Sequence, residues 1–179
     1  KYPIYDLNSP TIKNLINRCK EELDQFSCST IPNFILPKSL KVMSKELVQQ
    51  INEVYMSHES INPYLNSSDE PSLKKDHPKR IFSKRYNGYL NSDLFEKKSE
   101  MKYLYEQEEL LNFVSACLGI SPIYRWADPL ACHAYNVMKP NGILPWHFDS
   151  CEFTLSFMIQ KPEKGGIFEY CPNIREPGN

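Results

Sequence analysis

Apolar residues recur at helical spacing in three stretches of the chain. Ile12, Leu15, Ile16, Cys19 and Leu23 fall at i, i+3, i+4, i+7 and i+11, the stripe of an amphipathic helix. Asn8-Ser9-Pro10 opens it with a capping side chain and a first-turn proline. Pro37 and Ser39 open a second helix, with Leu40, Met43, Leu47, Ile51 and Val54 on one face. A third is predicted from Glu106 to Leu118, with Leu110, Leu111, Val114, Cys117 and Leu118 inward and Gly119 as its stop. All three stripes read as scaffold that packs against a sheet.

Between and after the helices the pattern shortens to strand length. Phe26 to Ile35 reads as a strand and its approach, interrupted by Pro32. From Ser57 to Asp93 the pattern loosens into a long polar connection, of the kind that forms lids and binding loops. The chain then enters the sheet through Ile123 to Trp126 and continues as a strand from Ala131 to Met138. Asn136 to Trp146 reads as a hairpin: strand, Pro-Asn-Gly turn and return strand, delivering His147 at a strand start. Phe153 to Ile159 is an apolar run of strand length, and Gly165-Gly166 introduces another short strand. Successive short strands separated by turns predict an α+β protein with N-terminal packing helices and a jelly-roll core, that is, a double-stranded β-helix. The expected organisation is a single domain over 1–179, with 1–122 as helical scaffold and lid loop and 123–179 as the first part of the jelly roll.

Composition narrows the class. A chain of 179 residues, 41% hydrophobic and 24% charged, is able to bury a core without disulfides. A formal net charge of −1 gives no electrostatic reason to expect a nucleic-acid partner. No apolar run approaches the roughly 20 residues of a membrane span, and no signal-peptide pattern opens the chain, so a soluble, cytoplasmic protein is expected. Cys19, Cys28, Cys117, Cys132, Cys151 and Cys171 lie at irregular wide spacings with no Cys-x-x-Cys, and read as reduced thiols.

The chemistry concentrates in Trp146-His147-Phe148-Asp149. On a strand, residues two apart share a face, so His147 and Asp149 present an imidazole and a carboxylate side by side. That is two-thirds of the 2-His-1-carboxylate facial triad that binds Fe(II) and leaves the opposite positions open. A zinc site from His147, Asp149 and Cys151 is the competing reading. On a straight strand those residues span about 13 Å, too far for one tetrahedral ion without a bulge.

Three stretches carry a family resemblance: Tyr124-Arg125-Trp126-Ala127-Asp128-Pro129-Leu130, Trp146-His147-Phe148-Asp149, and Gly165 to Arg175. With them the chain resembles the Fe(II)/2-oxoglutarate-dependent oxygenases, and within these the branch that hydroxylates or halogenates free amino acids. The resemblance implies His147 and Asp149 as iron ligands, Fe(II) and 2-oxoglutarate as cofactors, O2 as cosubstrate, and hydroxylation of an unactivated C–H of a small substrate, a free amino acid. In halogenases of the branch a small residue replaces the carboxylate ligand; Asp149 therefore points to hydroxylation. Asn136, eleven residues before His147, matches a position that bonds the cosubstrate carboxylate in some relatives; satisfying backbone groups near a turn is the other reading. If Asn136 faces the interior of the barrel, His133 and Tyr135 face outward. Arg80 and Trp146 are the implied substrate contacts, Arg80 by forking onto a carboxylate from the lid; a solvated basic loop is the alternative. Glu152 and Asp128 are candidates for an ammonium group. The triad also requires a second His and a following Arg, and His58, His77 and His133 fall outside the family's order. The sequence is accordingly expected to be truncated at its C-terminus, with the last strands of the core missing. A non-catalytic jelly-roll binding protein, or an inactive fragment, is the alternative.

Overall fold

A computed structural model describes residues 2–95 and 98–174 of the chain. It has four helices and a three-stranded antiparallel sheet, an α+β arrangement. The chain divides into two compact units, one holding the described parts of Lys1–Lys45, Lys97–Ala127 and Ile159–Asn179, the other those of Glu46–Glu96 and Asp128–Met158. No helix among the described residues is long and apolar enough to cross a membrane.

The first unit is built on α1 (Pro10–Phe26) and α4 (Glu108–Leu118). The predicted α1 stripe is buried at Ile12, Leu15, Ile16 and Cys19, and meets Phe113 and Cys117 of α4. Ser9 stands at the N-cap position, but its hydroxyl donates back to the Asp6 carbonyl at 2.9 Å rather than capping the helix. Ser27 ends α1 in the left-handed region at φ 55°, its N–H returning to the Leu23 carbonyl. The expected strand from Phe26 to Ile35 is therefore not formed: Phe26 closes the helix, and 27–35 is irregular with a turn at Pro32-Asn33.

Helix α2 (Pro37–Gln49) ends before the expected Ile51 and Val54, which lie in and after a separate 3-10 turn, Ile51–Glu53. The third expected helix, Glu106 to Leu118, is α4, which begins at Glu108, and a further short helix precedes it. Helix α3 (Glu100–Glu106), capped by the Ser99 hydroxyl accepting from Lys102 N–H, is separated from α4 by an extended Gln107. Arg125 explains how the break is tolerated: its guanidinium donates to the carbonyls of Tyr105 and Glu106 and to the Glu108 carboxylate. The end of α3 is thus satisfied by a side chain rather than by further helix. Gly119 at φ 69° stops α4 as predicted.

The second unit carries β1 (Tyr55–Ile61), β2 (Ser83–Leu90) and β3 (Tyr135–Val137) in the order β1-β2-β3. All of β2 and most of β1 lie within the stretch expected to be a loop from Ser57 to Asp93. Their apolar alternation is weak because polar residues fill buried positions: Ser57 is 3% exposed and its cross-strand partner Asn87 is fully buried. Gly88 marks a close approach in β2, since a Cβ there would collide with Val54 Cγ1 and crowd Met56. The strand expected over Ala131–Met138 is confined to Tyr135–Val137. The stretches 153–159 and 167–170, expected as strands, form no ladder among the described residues. Gly165 and Gly166 both take positive φ, which bends the chain there.

Candidate metal centre

The segment bearing His147 is positioned by the hairpin turn before it. Gly142 N–H closes the turn onto the Lys139 carbonyl, and Ile143 then pairs with Tyr86 of β2 through both backbone hydrogen bonds. Pro145 has no N–H to continue the ladder, so the return limb is a single bridge and His147 and Asp149 lie in irregular chain. Phe148 N–H donates to the Pro63 carbonyl at 2.8 Å, and its ring packs on Tyr64, which ties the segment to the chain leaving β1.

His147 and Asp149 flank that anchor and converge, with Nε2 at 3.3 Å from Oδ1. His147 Nδ1 lies 2.7 Å from the Pro145 carbonyl. A carbonyl only accepts, so Nδ1 carries a proton, and Nε2 is the ring nitrogen turned toward Asp149. Two lone-pair atoms facing each other at this distance are favourable only around a cation, either a proton on Nε2 or a metal ion. Two bonds of about 2.1 Å meeting at a right angle span about 3 Å, so the separation fits a shared metal. Thr154 donates to Asp149 Oδ2 at 2.7 Å, which fixes the carboxylate's rotation. Both outer contacts, carbonyl on imidazole and hydroxyl on carboxylate, are of the kind that orients metal ligands. Asp149 is open to solvent and His147 is partly covered.

The other predicted residues lie elsewhere. Among the described residues no group of three or more His, Cys, Asp or Glu side chains forms a metal cluster, so neither a complete triad nor the alternative zinc site with exposed Cys151 is assembled. His58 stacks on Tyr86, His77 accepts from Lys79 N–H, and His133 is tied by its N–H to the Ser92 hydroxyl. Arg80 already holds a carboxylate, that of Asp69, through Nε and Nη2 at 2.9 Å each, while its Nη1 donates to the Leu73 carbonyl. These contacts staple the 62–80 loop. Trp146 is 58% exposed beside His147. Asp128 caps a local turn by accepting from Leu130 N–H.

In β3, Tyr135 and Asn136 take opposite faces of the sheet. Tyr135 is buried against Phe95, and Asn136 is exposed. Asn136 accepts from Asn87 at 3.4 Å, on the same face of the sheet as Arg85. In the sequence Arg85 reads as one more cation of the basic loop that holds Arg80; once β2 is a strand, the alternation Arg85, Asn87, Tyr89 marks it. Arg175 lies outside the described residues. Comparison of the chain with protein-family models, with curated proteins and with solved structures finds no match.

Proposed function

We propose that the protein is an Fe(II)/2-oxoglutarate-dependent oxygenase that hydroxylates a small substrate, a free amino acid, with its sheet as part of a double-stranded β-helix. The observation that supports this reading is the 3.3 Å approach of His147 Nε2 to Asp149 Oδ1, with Nδ1 committed to a carbonyl. His147 and Asp149 would hold the iron, and the remaining protein ligand is assigned to no described residue. Iron bound with 2-oxoglutarate supplies O2 activation coupled to oxidative decarboxylation. The chain's own part is orientation. The Pro145 carbonyl keeps the proton on Nδ1 so that Nε2 is available, and Thr154 turns the carboxylate so that Oδ1 faces the imidazole. A carboxylate at position 149 occupies the place a halide would need, which supports hydroxylation over halogenation. A cytoplasmic setting fits six cysteines that are all free.

The test is anaerobic Fe(II) titration followed by an assay of succinate formed from 2-oxoglutarate with a panel of free amino acids. Iron binding and amino-acid-dependent succinate, both lost in His147→Ala, are the expected results. Wild-type protein that binds no iron and forms no succinate with any member of the panel would select a non-catalytic binding role.

A further inference from the structure

We propose that Arg85 is a carboxylate-binding residue, presenting its two Nη groups to one carboxylate of a reactant. The arginines differ in what their guanidinium groups already hold. Arg18 is engaged by Glu22 and the Thr30 carbonyl, Arg80 by Asp69 and the Leu73 carbonyl, and Arg125 by Glu108 and two helix-end carbonyls. Arg85 uses Nε alone, which donates to Asn87 Oδ1 at 2.8 Å; among the described residues its Nη groups meet no acceptor. Its cross-strand partner Glu59 forms no ion pair with it and accepts from the Ser57 hydroxyl instead.

This guanidinium is also held in place. Asn87 is fully buried and fixes Nε, and the Arg85 plane lies over the Tyr89 ring at 4.8 Å. The side chain is half-buried, so much of its ordering cost is met before a ligand arrives. A planar fork with two parallel donors matches a carboxylate, and a lysine would not reproduce it. Placement agrees. Ser83, two residues before Arg85, pairs with Ile61 at the end of β1, and Pro63 just beyond accepts Phe148 N–H between the two candidate ligands. Arg85 and the His147–Asp149 pair therefore stand toward the same end of the sheet. The carboxylate belongs either to 2-oxoglutarate or to the amino acid, an assignment that rests on the oxygenase reading, whereas carboxylate binding by Arg85 does not.

Calorimetric titration of 2-oxoglutarate, and separately of single free amino acids, tests this with and without added Fe(II) under anaerobic conditions. Arg85→Gln is expected to weaken one of the two ligand types at least tenfold, Arg85→Lys to fall between, and Arg18→Gln to leave that affinity unchanged. Loss for 2-oxoglutarate alone identifies the cosubstrate, and loss for the amino acid alone identifies the substrate. Loss in the metal-free arm sustains the inference even where no succinate is formed. Unchanged affinities and succinate formation in a folded Arg85→Gln protein overturn it while leaving the oxygenase reading in place. A wild-type protein that binds no carboxylate at millimolar concentration overturns it as well.

Discussion

Thr154 Oγ lies 2.7 Å from Asp149 Oδ2, five residues back along an irregular stretch of chain, and this contact turns the other carboxylate oxygen toward His147. Outer contacts of this kind typically carry about 10–100-fold in metal affinity. Thr154→Val, which keeps the shape and removes the donor, is expected to weaken Fe(II) binding by about tenfold or more within that range. Anaerobic titration measures it. Equal affinity in the variant would mean that the carboxylate is oriented by something other than this hydroxyl.

Asp149→Gly removes one donor and opens space beside His147. Iron affinity is expected to fall by at least about tenfold, and chloride to restore part of it by taking the vacated position. The readouts are titrations with and without chloride, and mass spectrometry for a chlorinated product. A loss of affinity indifferent to halide would show that position 149 does not face the metal.

The Asp69–Arg80 pair makes the 62–80 loop sensitive to acid. The Arg80 guanidinium hydrogen-bonded to Asp69 holds its carboxyl below the ordinary value of 3.8; desolvation opposes this, and the Glu70 N–H and the Arg80 charge add to it. A depressed folded-state pKa stabilises above the unfolded value and loses that contribution as pH falls through the folded one. Wild type should therefore exceed Asp69→Asn in stability at neutral pH, and the difference should close below about pH 4. Urea denaturation across that range tests the sign; a difference that widened in acid would contradict it.

What could be read from the sequence divides along physical lines. The α1 stripe and the Gly119 stop were legible because apolar periodicity and a left-handed cap are local signals. The pairing of β1 with β2 was not, since Ser57 and Asn87 occupy buried sites and their hydrogen bonds, rather than apolar side chains, stabilise the burial. His147 and Asp149 lie close together although the backbone there is irregular rather than the strand their spacing suggests. The facing of β3 is not legible from its own residues, because a three-residue strand takes its facing from its neighbours, Leu90 and Gly88. The Arg80–Asp69 pairing is not legible either, because nothing local announces that a carboxylate eleven residues earlier takes the arginine's fork.

The cysteines should separate by burial. Cys19 and Cys117 are buried, and burial together with the neighbouring Cys19 pushes the Cys117 thiol up to about 12. Cys151 and Cys171 are exposed. Iodoacetamide at neutral pH is expected to label Cys151 and Cys171 in the folded protein, and Cys19 and Cys117 only after denaturation. Because the folded pKa of Cys117 is raised, its contribution to stability is intact below the unfolded value of 9.0 and declines as pH rises toward about 12. Peptide mapping by mass spectrometry reads the labelling, and early modification of Cys117 would contradict its placement between α1 and α4.

Tyr135 offers a sharper test of the sheet's packing. Its ring is 5% exposed and lies 4.9 Å from that of Phe95, while its hydroxyl is buried with no hydrogen-bond partner among the described residues. Burial raises the phenol's pKa, and the Glu46 charge adds to this, so the group stays neutral. An unsatisfied buried hydroxyl costs about 1–3 kcal/mol relative to water. Removing it in Tyr135→Phe keeps the ring contact and relieves that cost, so the variant is expected to match wild type or exceed it by up to about 1 kcal/mol. Tyr135→Ala instead loses the ring and leaves a cavity, a change of about 3–5 kcal/mol for a large aromatic. Urea midpoints at constant slope separate the two. A Tyr135→Phe protein destabilised by more than about 1 kcal/mol would mean that the hydroxyl is held, most simply by a bridging water, and that this side of β3 is polar rather than apolar core.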